Sequence, residues 1–446
     1  MKSFIEMMVD YVGLLSDVDP LFVKFMSAQL LGHCLTKQSY ININPERERL
    51  NLYVLLIGKS YFGRKTVTQD IISRFYPQEV ILPNESSAEK FIVNLAEKPN
   101  GVWFYGEFSK ILKHIKSGGY LSSIAETLND LYKYERPEFK RELMNDEYII
   151  KNPYPTFSST LTPEVLQEKV TPEMLDGGLF GRLILVPGES RGGGRKCIPK
   201  EAMNLENDLK KVVRHLERMN LAVTFDISPE GFELIDEIEK ELLLTSKVSS
   251  VAGRYGQAVI KLSGILCYSD LLGGVLSNNS KNSINSNNSN ISKSKDKTNF
   301  TKGTIIRNIT NLTNFTQLTI EKYHIQEAYD MIKPCLEFAE SLYDYSVMNK
   351  KHIIKVREYV KKNFPVDRSD VMRFCNIDSV QANEAEKTLT DQEIISIRRF
   401  KKHKKTGGLC KPTTYYCLYG YKGDKCKDCK YERQCTAYKK QYGEFA

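Results

Sequence analysis

The sequence predicts an α/β fold, in which helices flank a parallel sheet, followed by a smaller module of three helices and a hairpin. Five short apolar runs predict buried strands, and amphipathic helical patterns such as 86–98 separate them. The runs are LNLYVLLI (50–57), EVILP (79–83), GVWFY (101–105), YPTFSSTL (154–161) and GRLILVP (181–187). Buried strands that alternate with helices are typical of a parallel sheet.

The composition is that of a soluble globular chain. At 446 residues, two to three domains of about 150 residues each are expected. Hydrophobic residues make up 41% and charged residues 27%, and no apolar run approaches the roughly 18 residues that a membrane span needs. The first residues, MKSFIEMMVDYVGLL, carry acids and indicate an amphipathic helix instead of a signal peptide. We therefore expect a cytoplasmic protein with no membrane partner.

The pattern divides the first 349 residues into four segments. A helical N-terminal segment covers 1–45, and the α/β domain covers 46–276. An insertion at 277–316 is dominated by Asn, Ser, Thr and Lys, and is expected to be disordered because it has too little apolar surface to offset its conformational entropy. A helical linker at 317–349 follows.

The C-terminal segment predicts a winged helix-turn-helix at 350–420 and a Cys-rich tail at 421–446. Helical patterns occur at 350–363, 368–375 and 379–392. Two strand patterns follow, IISIRRF and TTYYCLY, joined by KKHKKTGGLCKP. Three helices and a hairpin in this order form a winged helix-turn-helix.

The first apolar run leads directly into a candidate phosphate-binding loop, GKSYFGRKT (58–66). Gly58 and Gly63 would let backbone N–H groups face phosphates, while Lys65 would reach the β/γ oxygens and Thr66 would hold Mg²⁺. The spacing departs from the usual pattern, because Arg64 stands between the second glycine and the lysine. The alternative is an ordinary basic strand-to-helix turn.

A second candidate motif, Gly106-Glu107, directly follows the predicted strand GVWFY. Glu107 is a candidate general base for activating water, although the usual Asp before it is replaced by Gly106, which removes one metal-binding carboxylate. The alternative role is capping the next helix. The run 155–164 also ends in hydroxyl side chains, any one of which is a candidate γ-phosphate sensor.

A glycine-rich turn at 176–182 delivers Arg182 to the head of the last apolar run. An arginine beside a buried strand is costly unless it is paired. It is a candidate arginine finger for the nucleotide of a neighbouring subunit. A structural salt bridge is the alternative.

The order of these parts resembles the phage- and plasmid-type helicase-like ATPases that are fused to, or encoded beside, DNA primases. The resemblance covers about 15–270 and includes the displaced Arg-Lys-Thr. It implies a RecA/AAA+-like P-loop NTPase core, ATP and Mg²⁺ bound by Lys65 and Thr66, water activated by Glu107, and Arg182 acting in trans within a ring-shaped homo-oligomer. A separate primase is an implied partner, because no primase catalytic segment is evident in the chain.

The positive charge lies at the C-terminal end of the chain. Residues 351–446 carry 22 basic and 12 acidic side chains, whereas the whole chain has a net charge of +9. A dense run of cations falls at the proposed wing, where it would follow a phosphate backbone. Its members are Arg398, Arg399, Lys401, Lys402, Lys404 and Lys405. The run predicts contact with DNA, single-stranded or forked, although charge runs are also common on solvated faces.

Half of the ten cysteines of the chain lie between residues 410 and 435. In a reducing compartment, a C-x₂-C pair with further cysteines nearby predicts a metal site. Zn²⁺ is the expected metal, and a [4Fe–4S] cluster is the alternative, since C-x₂-C-x₅-C resembles the cluster motif of certain iron–sulfur nucleases. The candidate ligands are Cys410, Cys417, Cys426, Cys429 and Cys435.

Together these features predict an ATP-dependent motor acting on DNA, as a replicative helicase or helicase loader of a mobile element. A second hypothesis is a non-catalytic DNA-binding regulator of replication or transcription with a degenerate phosphate loop. The displaced Lys65 and the glycine before Glu107 favour this second hypothesis. A third, an iron–sulfur nuclease, rests on the tail alone.

Overall fold

The fold was analysed in a computed structural model of the chain. It describes residues 2–43, 45–60, 63–84, 86–117, 122–132, 138–143, 146–175, 177–189, 198–219, 221–285, 317–348, 350–364, 366–392, 394–400 and 413–418. The chain divides into two compact units, unit 1 over residues 1–343 and unit 2 over residues 344–446. Within the described ranges, no helix is long and apolar enough to cross a membrane.

Unit 1 opens with two helices, as the sequence predicts, and continues with alternating strands and helices up to residue 187. The elements are α1 (Phe4–Leu15), α2 (Pro20–Thr36), β1 (Tyr40–Ile43), β2 (Glu46–Glu48), β3 (Tyr53–Ile57), α3 (Lys65–Ser73), α4 (Ala88–Glu97), β4 (Val102–Tyr105), α5 (Ser109–Ser117), α6 (Ser122–Tyr132), β5 (Glu138–Leu143), β6 (Asp146–Lys151), β7 (Thr156–Leu161), α7 (Pro163–Lys169), α8 (Pro172–Leu175), α9 (Gly178–Arg182) and β8 (Leu183–Pro187).

Four of the five predicted strands form one parallel sheet, in the order β4-β7-β3-β8. This confirms the α/β fold class. β3 lies in the interior of the sheet, and all five of its residues are buried, which is why its sequence is continuously apolar. The prediction of a full strand over EVILP (79–83) was wrong. A 3₁₀ turn occupies Gln78–Val80, and only Ile81 bridges to Val102 of β4.

Helix α2 lies against the sheet, and most of the surface of α2 is buried. α2 has 14 buried residues among its 17, so it is apolar nearly all round instead of on one stripe. Its buried amide, Gln29 Nε2, donates to Leu52 O at 3.1 Å and to Phe157 O at 2.8 Å, which ties the helix to β3 and β7. The amide N–H₂ of Gln29 is therefore paired with backbone carbonyls of β7 and of the residue before β3, whereas its buried Oε1 has no hydrogen-bond partner among the described residues.

The rest of unit 1 adds a second, mixed sheet, which the sequence pattern did not predict. Its strand order is β10-β9-β1-β2, with β2 antiparallel to β1. β5 and β6 form a separate antiparallel hairpin. The remaining elements of this half are α10 (Lys200–Met219), β9 (Thr224–Ile227), α11 (Pro229–Thr245), α12 (Ser249–Asn285), β10 (Gln317–Ile320) and α13 (Lys322–Met348).

The predicted insertion is described only at its start. α12 continues to Asn285, so the first nine residues of the segment 277–316 are helical instead of irregular. The remainder of that segment lies outside the described residues.

The described part of unit 2 beyond residue 350 contains three helices and a small antiparallel sheet at the predicted positions. They are α14 (Lys351–Asn363), β11 (Val366–Asp367), α15 (Arg368–Cys375), α16 (Ser379–Asp391), β12 (Ile395–Phe400) and β13 (Thr413–Leu418). β13 pairs with both β12 and the short β11, which the sequence pattern missed because it has only two residues. A separate hydrophobic core that includes Ile353, Val360, Leu389 and Tyr416 holds these elements together.

Candidate functional site

The carboxyl ends of the four parallel strands meet at one edge of the sheet. Ligands of open α/β sheets bind at this edge, beside the point where the strand order reverses. Two backbone hydrogen bonds fix the loops there: Gly58 N donates to Leu161 O at 3.2 Å, and Gly188 N donates to Ile57 O at 3.0 Å. The chain leaves this edge at Gly58, Gly106, Thr162 and Gly188.

The loop after β3 curls tightly back on itself. Gly63 N donates to Lys59 O at 2.8 Å. A Cβ at Gly63 would lie 2.7 Å from that oxygen and 2.9 Å from Gly58 Cα, closer than real Cβ contacts. The turn therefore requires glycine at residue 63. Tyr61 and Phe62 lie outside the described residues.

Arg64 accounts for the unusual spacing between Gly63 and Lys65. Its backbone is left-handed, with φ 45° and ψ 20°, a conformation that costs a non-glycine residue about 1 kcal/mol. This turn absorbs the extra residue, so that α3 begins at Lys65. The Arg64 guanidinium donates to Ser16 Oγ at 3.0 Å, which directs it toward the segment between α1 and α2.

Lys65 is the first residue of α3, and its ammonium lies within the loop. Lys65 Nζ donates to Gly58 O at 3.0 Å. Burial lowers the pKa of Lys65, while the charges of Glu107 and Glu164 oppose this shift. The lysine of α3 therefore lies in the field of two carboxylates that come from the ends of other strands. Thr66 is exposed in the same first turn of the helix.

The end of β4 is held by its neighbours on both sides. On one side, Ser159 Oγ donates to Tyr105 O at 2.7 Å, and Thr160 Oγ1 donates to Gly106 O at 3.0 Å. On the other side, Asn84 Oδ1 accepts from Gly106 N at 2.9 Å. Glu107, next along the chain, is exposed at this edge.

The hydroxyls of β7 are used for packing. Ser158 Oγ accepts from Gln69 Nε2 at 3.0 Å, and the two hydroxyls that follow bind the end of β4. All three side chains are buried. Thr162 is the hydroxyl that remains half-buried at the edge, at the N-cap of α7, where its side chain makes no capping hydrogen bond.

Two residues at the edge, Asn84 and Glu164, had no assigned role in the sequence analysis, whereas Thr162 belongs to the hydroxyls predicted there as candidate γ-phosphate sensors. Asn84 follows the EVILP run, and Thr162 and Glu164 follow β7, so each comes directly after a strand pattern. The signal that could have found them is this position, since polar residues that follow parallel strands collect at one edge.

Arg182 lies at the opposite edge of the sheet. It ends the short helix α9 and directly precedes β8, so the predicted run GRLILVP is a strand only from Leu183 onward. With five residues in β8, about 15 Å of strand separates it from the loop after β3. Arg182 Nη1 donates to Gly178 O at 2.7 Å and contacts Asn129 Oδ1 at 3.4 Å. It therefore does not join Lys65 within one chain.

The C-terminal candidates fall largely outside the described residues. Lys401, Lys402, Lys404 and Lys405 lie outside them, as do Cys410, Cys426, Cys429 and Cys435. Arg398 and Arg399 lie in β12, and Cys417 lies in β13. Within the described part of the chain, no group of three or more His, Cys, Asp or Glu is arranged to hold a metal ion.

The edge thus joins a glycine-bearing loop, a lysine that opens a helix and carboxylates from two neighbouring loops. Such an arrangement can bind a phosphate group through backbone N–H groups and an ammonium, with a carboxylate beside it to accept a proton. Comparison with known proteins adds no assignment, because no family model matches the chain and no curated protein is significantly similar to it.

Proposed function

We propose that this chain is a P-loop NTPase with a RecA/AAA+-like core that hydrolyses ATP to drive work on DNA. The observation that carries the proposal is the position of Lys65, which opens α3 behind a tight glycine loop and lies in the field of Glu107. β7 separates the two strands that bear these residues, so the lysine and the carboxylate face one space from two loops.

Four residues of the edge have a definite role in this proposal. Lys65 exchanges its bond to Gly58 O for the β/γ oxygens of ATP, and the first N–H groups of α3 bind the same phosphates. Thr66 would hold Mg²⁺, which supplies charge neutralisation at the phosphates. Glu107 accepts a proton from the attacking water, and Thr162 is placed to contact the γ-phosphate.

Unit 2 would bind the nucleic acid. Three helices with a β12–β13 hairpin support a winged helix-turn-helix, whose wing carries the basic run that begins at Arg398. The cysteines of the tail would form a Zn²⁺ knuckle or hold a [4Fe–4S] cluster beside it. The partners in this proposal are single-stranded or forked DNA and a separate primase.

The position of Arg182 favours a role between subunits. Since it lies at the amino edge of its own sheet, it would act on the nucleotide of a neighbouring subunit in a head-to-tail homo-oligomer, such as a ring. The motor would then serve as a replicative helicase or helicase loader in the cytoplasm.

The second candidate function is a DNA-binding regulator with an inactive loop. Gly106 favours it, because this residue leaves one carboxylate fewer for a metal at the end of β4. Space is not the reason for the glycine: a Cβ there would approach nothing closer than 3.6 Å, the distance to Asn84 Oδ1.

Hydrolysis of ATP by the full chain, with and without single-stranded DNA, separates the two candidates. We expect DNA to stimulate turnover, and Glu107→Gln to lower it by about 100-fold or more while ATP still binds, because the amide cannot accept the proton. Exposed Glu97, which ends α4, provides the matched control as Glu97→Gln. Full-chain protein that binds DNA but has no turnover would support the regulator instead.

Replacing Gly63 tests the loop itself. Gly63→Ala places a Cβ against the Lys59 and Gly58 backbones, so the turn must open. We expect ATP affinity to fall about tenfold or more, equivalent to about 1.4 kcal/mol, measured by titration calorimetry. Gly13→Ala is the control, because its Cβ would meet nothing within 4 Å. Equal affinities of the two variants would contradict the assigned role of the loop.

A further inference from the structure

Two aromatic rings and one guanidinium contact one another on the surface of unit 2. The rings of Tyr359 and Phe374 are stacked, with centroids 5.4 Å apart and an interplanar angle of 20°. Arg373 Cζ lies 4.6 Å from the Phe374 centroid. The Phe374 side chain is 60% exposed. We call these three residues the aromatic platform.

The platform is held in place by the local backbone. Phe374 lies in the last turn of α15, which ends at the left-handed Asn376. Ile377 N donates to Met372 O at 3.0 Å and closes the helix end. Arg373 is fixed by Asp370, whose Oδ1 accepts from Nη2 at 3.2 Å. An exposed phenylalanine on its own needs no explanation, whereas this ring is presented on a rigid helix end with two planar partners.

The segment of the chain that carries the platform is rich in cations, two of which pair with carboxylates of α16. Between residues 350 and 376, eight Lys and Arg side chains stand against three Asp and Glu. Lys361 and Lys362 are exposed in the last turn of α14, two and three residues after Tyr359. Exposed aromatic rings among cations are the combination with which proteins bind single strands, because bases stack on the rings while cations neutralise the phosphates.

We propose that the aromatic platform binds unpaired bases of single-stranded DNA, with a base stacking on Phe374 and the strand running over Lys361 and Lys362. This inference rests on the proposed action on DNA and assigns a contact separate from the predicted wing. A platform of this kind distinguishes single strands from duplex, since paired bases do not offer their faces.

Binding of a fluorescent oligothymidine to the full chain tests the platform by anisotropy. We expect Phe374→Ala to weaken binding about tenfold and Phe374→Tyr to restore it, because a stacked base contributes a factor of this order. The dependence of affinity on salt is expected to stay unchanged, since no charge is removed. Tyr323→Ala, which removes an aromatic residue of unit 1 that is 57% exposed, is the matched control.

Intrinsic fluorescence gives a second, direct measurement. The chain has one tryptophan, the buried Trp103, so Phe374→Trp adds an exposed indole at the platform. We expect oligothymidine to quench this added emission and a duplex of the same length to leave it nearly unchanged.

Three results would overturn the inference. The first is that oligothymidine does not quench the Phe374→Trp emission. The second is that Phe374→Ala loses single-strand and duplex binding equally, and the third is that Phe374→Ala binds oligothymidine with the affinity of the parent chain. Because these measurements need no ATP, they stay informative if hydrolysis is absent. A chain that hydrolyses ATP but shows no quenching would refute the platform alone.

Discussion

Lys65→Ala is expected to abolish ATP hydrolysis, lowering turnover by about 100-fold or more. The ammonium is the one cation that begins α3 and lies inside the glycine loop, bonded to Gly58 O at 3.0 Å and in the field of Glu107. Its removal takes away the one side-chain cation that the proposal places on the phosphates within the same chain. Phosphate release from the full chain under saturating ATP measures the effect.

Lys59→Ala is the matched control within the same loop. Lys59 is 66% exposed and lies 4.0 Å from the exposed Glu189, a pair of the kind that contributes little. We expect its turnover to stay within about twofold of the parent chain. Arg64→Ala separates the two adjacent cations, because Arg64 is directed to Ser16. If Arg64→Ala lost turnover and Lys65→Ala kept it, the assignment of the phosphate-binding residue would be refuted.

Lys261→Met is expected to lower the free energy of unfolding of unit 1 by about 3–5 kcal/mol. The Lys261 side chain is fully buried, and its Nζ donates to Asn51 O at 3.2 Å and to Asn51 Oδ1 at 3.1 Å. It lies 3.9 Å from Glu48 Oε2 and 3.9 Å from the centroid of the Tyr132 ring. Methionine keeps the length of the stem but leaves the buried Glu48 without this cation.

Urea denaturation followed by Trp103 fluorescence measures this effect, because the chain has one tryptophan and it is buried in unit 1. Lys240→Met, on the exposed side of α11, is the control and should change the unfolding free energy by no more than about 0.5 kcal/mol. Adding Glu48→Gln to Lys261→Met should recover part of the loss, since the unpaired charge is then removed. Equal midpoints for Lys261→Met and Lys240→Met would contradict the argument.

Local patterns predicted the helices of unit 2 to within one residue. Asp378 is the N-cap of α16 and forms a capping box with Gln381, and Asp367 is the N-cap of α15, where its side chain accepts from Ser369 N. The stop at Asn376 is also local, because asparagine tolerates the left-handed conformation better than most residues. Such signals need only neighbours in the chain, so a sequence can reveal them without the fold.

Strand ends and minor strands were predicted less well. β1, β9 and β10 are four residues each and carry mixed polar and apolar residues, so nothing in their patterns distinguishes them from loops. The predicted strand GRLILVP included Gly181 and Arg182, whereas these two residues end a short helix that begins at Gly178. Residues that flank a strand can be buried without pairing in the sheet, so an apolar run in the sequence can be longer than the strand itself.

The sequence alone determined that the chain has a parallel α/β unit with a glycine loop before a Lys-Thr helix, and a smaller helical unit with a basic hairpin. These properties follow from periodicity and turn residues, which are local. Only the tertiary structure decided that β7 lies between β3 and β4, that Lys65 and Glu107 follow strands at the same edge of the sheet, and that Arg182 lies at the other edge. It likewise decided that Lys261 contacts Asn51, 210 residues away. The physical reason is that strand order and buried ion contacts depend on pairing between distant segments, which local periodicity does not encode.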